Sequence, residues 1–213
     1  MSERKYKTLG YGYHWAWAAA GDSNPYVRWV KQVLRYLPEQ GDGATLLDVG
    51  CGDGYPASLL VARGYAVTGV DVLDGPLAVA RERVPGASFY HAERDALPQI
   101  SDYVLALESL EHMDSAAHLV EAVRGCLRYA LISSPPPGHD RYALRSYTED
   151  EVRALFEGCA VEVLVNDGEH RLFQVTPLRS EPGNTEALIA QAEADEAPKA
   201  APKRKKRANR RTE

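Results

Sequence analysis

One nine-residue run constrains the fold of this chain more than any other. Leu46-Leu47-Asp48-Val49-Gly50-Cys51-Gly52-Asp53-Gly54 sets an apolar strand directly before three alternating glycines. Glycine accepts positive φ and lets a backbone approach a ligand closely, so the run reads as a strand turning sharply into a helix. A second signal follows in the apolar stretch 66–72, which carries Asp71 nineteen residues after Gly52. A carboxylate at the end of a second parallel strand can accept hydrogen bonds from two ribose hydroxyls. Strand, Asp, Gly-rich turn, helix, strand and terminal Asp, in that order, point to a nucleoside-type cofactor.

The rest of the chain continues the alternation. Asp22-Ser23-Asn24 before Pro25 is a helix start, with Val30, Val33, Leu34 and Leu37 on one face and Pro38 as the stop. Strand 45–49 is followed by a helix over 56–63 that Gly64 ends, then strand 66–72 and a helix from Asp74 to just before Pro85-Gly86. Strands follow at 88–91 and 102–107, the latter a continuous apolar run suited to burial on both faces. Asp114 is expected to cap a helix reaching Leu127, and strand 129–133 ends at Pro135-Pro136-Pro137. Thr148-Glu149-Asp150-Glu151 is a capping box before another helix. Strands 160–165 and 171–176 close on the turn Asn166-Asp167-Gly168. The pattern predicts an α/β fold: a Rossmann-like open sheet, mostly parallel, with an antiparallel C-terminal hairpin strand and helices on both faces. Ligands on such sheets bind outside the carboxyl ends of the strands, which makes the loops after the first four strands the expected site.

Composition divides the chain into three parts. Residues 1–23 form an aromatic-rich N-terminal segment without a clean helical or strand period, and residues 24–178 form the cofactor-binding domain. Residues 179–213 form a tail that is expected to be disordered and is basic at its end, with room for one short helix over 185–196. From Pro198 on, eight Lys or Arg stand against one Glu, so the remainder carries −12 of a total charge of −5. An acidic body repels nucleic-acid phosphates, so nucleic acid is not the expected partner of the body unless folding assembles a local basic patch, while the basic tail Lys203-Arg204-Lys205-Lys206-Arg207 retains that capacity. Cys51, Cys126 and Cys159 are odd in number and lack a C-x-x-C pair, which excludes a disulfide framework or zinc ribbon. No apolar run is long enough to span a bilayer and residues 1–10 show no signal-peptide pattern, so the expected location is cytoplasmic.

With these motifs in register, the sequence resembles the class I S-adenosylmethionine-dependent methyltransferases, especially the small-molecule branch that includes the ubiquinone-pathway O-methyltransferases. Residues 46–54 look like that family's first motif and Val67-Thr68-Gly69-Val70-Asp71 like its second. Leu97-Pro98 with the acids before it resembles the adenine loop, residues 102–112 the fourth-strand motif, and Ser133-Ser134-Pro135 and residues 147–152 the later ones. The likeness runs from about Asn24 to Pro177. It implies an enzyme that binds S-adenosylmethionine through Asp48, Gly50, Cys51, Gly52, Asp71, Val72 and Glu108. Asp48 would face the cofactor's ammonium and Asp71 its ribose. Glu93, four residues before Leu97, would take the adenine, with Asp95 as the substitute. Tyr13-His14-Trp15 resembles the N-terminal segments that cover the cofactor in small-molecule members. A nicotinamide dehydrogenase is the rival on this fold class, but its Gly-x-Gly-x-x-Gly fingerprint meets Tyr55 at the sixth position.

Methyl transfer from a sulfonium is an in-line displacement in which positioning does most of the work, and a base matters when the acceptor must lose a proton. Glu108, Glu111 and His112, just after the fourth strand, are the expected catalytic residues. The acceptor is expected to be a small molecule with a reactive oxygen or nitrogen. Small-RNA 2′-O-methyltransferases resemble the chain at Glu-x-x-Glu-His, where they hold a divalent ion with a later His, for which His139 is the counterpart. The acidic body and the short His112-to-His139 linker speak against that alternative, and no metal is expected. A non-catalytic binding protein retaining the fold is the third reading. His91 and His118 are expected to be structural or exposed.

Overall fold

The computed structural model describes residues 3–178. Seven strands form one sheet in the order β3-β2-β1-β4-β5-β7-β6. They are β1 (Thr45–Val49), β2 (Ala66–Asp71), β3 (Ser88–His91), β4 (Ser101–Leu107), β5 (Cys126–Ser133), β6 (Cys159–Asn166) and β7 (Arg171–Pro177). The first five run parallel, and β7 is antiparallel to both β5 and β6. This is the expected architecture, with the hairpin supplying the single reversed strand.

Alternation along the strands sends side chains into two cores. On β1, Leu46 joins one core with Val30 and Val33 of α3 (Pro25–Val33) and Leu60 of α4 (Tyr55–Val61). Its neighbour Leu47 joins the other, with Leu119 and Val123 of α6 (Ala117–Gly125) and Val152 of α7 (Glu149–Leu155). Asn24 caps α3 by accepting hydrogen bonds from Tyr26 N at 2.9 Å and Val27 N at 3.3 Å, with Pro25 in the first turn. The capping box at Thr148 is complete. Helix α5 (Asp74–Arg83) spans the second crossover.

Three expectations need correction. The helix after β4 starts at Ala117 rather than at an Asp114 cap, and Ser115 Oγ accepts from Ala117 N at 3.2 Å instead. Asp114 spends its carbonyl on Arg145, at 2.9 Å. That helix also ends at Gly125, so β5 begins three residues earlier than expected; a Cβ at 125 would run into the Gln99 carbonyl. The aromatic N-terminal segment, which lacks sequence periodicity, forms two short helices, α1 (Glu3–Leu9) and α2 (Tyr13–Ala19). Tertiary contacts hold them: α2 docks on Asp53 of the Gly-rich turn, while α1 packs Tyr6 on Tyr13 and pairs Lys5 with Asp140, so the pattern follows these partners and not a helical stripe. The expected tail, residues 179–213, lies outside the described residues.

Candidate cofactor site

The site grows from the end of β1. Gly50, Gly52 and Gly54 all have positive φ, and the N–H groups of Gly50 and Cys51 both donate to the Val70 carbonyl, at 2.8 and 3.1 Å. The turn is thereby folded back on β2. Position 50 tolerates only glycine: φ is +78°, and a Cβ there would lie 2.5 Å from Ser109 Cβ. Ser109 is held in place by donating to the Val49 carbonyl at 2.9 Å.

Two acids flank the turn. Asp71 is buried, and its oxygens accept from Gly52 N at 3.0 Å and Leu73 N at 3.1 Å. It therefore ties β2 to the glycine loop. Asp48 is 1% exposed and its Oδ2 has no hydrogen-bond partner among the described residues. Burial, and then the charge of Asp71, push its carboxyl up to about 7. An orphaned buried carboxylate oxygen at a ligand-shaped turn is a place for a donor that the protein does not itself supply.

Above the turn lies a cavity of about 190 Å³. Its floor is Asp48, Gly50 and Cys51; its walls include Pro56, Leu107 and Glu108; its roof is Lys5, Tyr13, His14 and Trp17, with Tyr26 beside them. Fully buried Asp53 latches the roof down. Its carboxylate accepts from His14 N at 3.1 Å and meets His14 Nδ1 at 2.9 Å, and its carbonyl accepts from Trp15 Nε1 at 2.7 Å. Burial lowers the His14 pKa against the pull of Asp53, so the ring is neutral near pH 7. The His14 ring stacks on Tyr26 at 4.6 Å between centroids.

Glu108 reaches the cavity from the end of β4. It holds φ at +48°, a conformation uncommon outside glycine and concentrated at functional sites. Ser133 from the neighbouring β5 fixes it: the hydroxyl donates to Glu108 Oε1 at 2.7 Å and accepts from Glu108 N at 3.1 Å.

Glu111 and His112 do not line the cavity. They sit in a buried 3-10 turn, Leu110–His112, with His112 Nε2 3.1 Å from Asp140 Oδ2 and 4.0 Å from Glu111 Oε1. Burial, and then the charge of Glu108, push Glu111 up to about 8. Asp140 goes the other way: burial alone would raise it, but His112, the Lys5 ammonium and the Tyr142 N–H together hold it well below the usual carboxylate range. Ligand atoms of Glu111, His112 and Asp140 all lie within 4.8 Å of one another, a set able to hold a cation. The carboxylate that joins the pair is thus Asp140. Glu108 turns away to Ser133, and His139, the expected fourth member, is exposed.

Past β3, Asp95 Oδ2 accepts from His91 N at 2.6 Å, which turns its carboxylate back on the strand end. Exposed Glu93 has no side-chain hydrogen bond among the described residues. Val72 is exposed beside Asp71, Cys51 is buried with its thiol pushed up by burial, His91 is buried and His118 exposed. Sequence reasoning did not assign Lys5, Asp53, Ser133 or Asp140. Of these, Asp53 left a trace as an acid within a glycine run, and Ser133 one within the Ser133-Ser134-Pro135 motif; the roles of all four depend on partners distant in the chain.

The Methyltransferase domain family matches residues 23–180. Among characterised relatives, the ubiquinone biosynthesis O-methyltransferase of Histophilus somni is 27% identical over 127 residues, 53% of each chain. That of Pseudomonas paraeruginosa is 38% identical over 88 residues, 38% of each chain. The chain thus spans about half the length, or less, of these relatives. Among solved structures, a TehB-like SAM-dependent methyltransferase from Corynebacterium glutamicum aligns with a TM-score of 0.62 at 18% identity, over 82% of this chain and all of that one. Magnesium protoporphyrin IX methyltransferase from Synechocystis, solved with bound SAH, aligns with a TM-score of 0.59 at 17% identity, over 71% of this chain and 83% of that one. At these identities the structural likeness speaks for the fold.

Proposed function

The chain belongs to the class I methyltransferase family, and from that premise we propose that it binds S-adenosylmethionine and methylates an oxygen or nitrogen of a small molecule. The observation that carries this is the unpartnered Oδ2 of Asp48 at the cavity floor. An amino-acid ammonium satisfies it. A dinucleotide would instead set its pyrophosphate near the glycine turn, where a buried acid repels it.

In this reading Asp48 orients the ammonium, Gly50, Cys51 and Gly52 shape the cradle, and Asp71 with neighbouring Val72 holds the ribose. Glu93, whose carboxylate has no hydrogen bond among the described residues where that of Asp95 is engaged, meets the adenine. Bound cofactor supplies a methyl group already activated on sulfur. Glu108, rigidly held by Ser133 and facing the cavity, positions the acceptor and receives its proton. His112 and Glu111 support it from behind: with Asp140 they fasten the turn after β4 to the loop after β5. Residues 24–178 are the catalytic domain and 1–23 its cap. The acidic body suits a small acceptor rather than RNA, and the setting is cytoplasmic; no helix among the described residues is long and apolar enough to cross a membrane.

Calorimetry tests the cofactor assignment. S-adenosylhomocysteine should bind and NAD should not. Asp71→Ala should weaken binding at least about tenfold, because charge-assisted hydrogen bonds contribute roughly 1.5–3 kcal/mol each. Methyl transfer to a panel of phenols, sugars and amines should persist in excess EDTA; loss restored by Mn²⁺ would bring the Glu111–His112–Asp140 group into the machinery.

A further inference from the structure

Resting on that cofactor assignment, we propose that the cap supplies the other half of an amino-acid clamp: Lys5 and Tyr13 bind the cofactor's carboxylate while Asp48 binds its ammonium.

Three observations converge. Lys5 is the only lysine or arginine among the described residues that line the cavity. Its ammonium is held 3.3 Å from Asp140 Oδ2 with its side chain 16% exposed, which aims it without using all three of its protons. Tyr13 is 4% exposed, lines the same cavity, and its hydroxyl has no partner among the described residues. Burial, and then the charge of Asp53, keep that phenol protonated far above neutral pH, so it is a donor to any anion. One cavity therefore contains an orphaned acceptor on its floor and an orphaned donor plus a cation in its roof. That is the polarity of a zwitterion. Charge matches as well. The lining sets two carboxyl groups, Asp48 and Glu108, against one ammonium, Lys5. S-adenosylmethionine carries an ammonium, a sulfonium and a carboxylate, a net +1.

The test compares S-adenosylmethionine with its decarboxylated form, which retains the ammonium and the sulfonium. Calorimetric titration of the full chain should show that Lys5→Met weakens the parent ligand about tenfold or more, the factor that corresponds to about 1.4 kcal/mol. Binding of the decarboxylated ligand should change less than about twofold, because the contact it lacks is the one removed. Lys5→Arg should restore most of the loss. Tyr13→Phe, which removes a hydroxyl with no partner among the described residues, should act in the same selective direction without disturbing the fold. Equal weakening of both ligands would show that Lys5 acts only by fastening the cap, and that result overturns the assignment, as does unchanged affinity for S-adenosylmethionine in both variants. If the unaltered chain takes neither ligand, the cofactor assignment itself fails, a result visible before any variant is made.

Discussion

Asp48 is a carboxyl whose own fold works against its charge. Burial and Asp71 push it up to about 7, far above its value in an unfolded chain. The sign follows from linkage: the folded state retains this proton longer, so its stabilising contribution is present below about pH 4 and is lost as pH rises through about 7. A cationic ligand reverses the preference, since it binds the ionised form. Affinity for S-adenosylmethionine should therefore fall about tenfold per unit as pH drops below about 6, and level off above about 8. Titrations from pH 5.5 to 8.5 check this, and Asp48→Asn should flatten the profile while weakening binding throughout. Asp48, Gly50 and Asp71 were legible in the sequence because the turn's local chemistry demands them. Asp53 and His14 lie 39 residues apart, and Lys5 and Asp140 lie 135 apart. No local pattern encodes such pairings, since what makes the roof a roof is the acid it lands on. Glu108 was found for its place at a strand end, whereas its partner Ser133 was visible only once β4 and β5 were paired in register.

Among the elements, the loop between β5 and α7 is the least regular part of the site, and one side chain ties its two ends together. Buried Arg171, the first residue of β7, donates to the carbonyls of Ser134 at 3.3 Å, Pro135 at 2.7 Å and Tyr147 at 2.7 Å. It clips both ends of the loop to the sheet, and the loop in turn presents Asp140 to His112 and Lys5. Arg171→Met would leave three buried carbonyls without donors, at a cost on the order of 3 kcal/mol. Thermal unfolding should show the midpoint falling by roughly 6–12 °C. The strands bounding this loop were legible from apolar runs and the triple proline. The clip was not, because an arginine at a strand start reads as a solvent-facing residue until its carbonyl partners are known. The displaced start of α6 has the same origin: Asp114 is a good cap by type, but Arg145 claims its carbonyl and the chain turns helical later.

At the scale of the whole molecule, the order of the parallel strands follows from right-handed crossovers, and the terminal hairpin from its turn residues, so the architecture was readable before any coordinates. What alternation does not encode is the cap, two short helices with neither stripe nor repeat, lying across the mouth that the sheet leaves open. The latch on Asp53 has a kinetic consequence. A ligand seated between the glycine turn and the roof cannot arrive or depart while His14 and Trp15 grip that residue. Exchange then becomes a two-step process in which unlatching precedes capture. Stopped-flow mixing should accordingly give an observed rate that plateaus with ligand concentration instead of climbing linearly, the plateau being the unlatching rate. His14→Ala should raise that ceiling and shorten the residence time of S-adenosylhomocysteine, so that the spent cofactor leaves at a pace set by a histidine nearly forty residues away in the chain from the carboxylate it holds.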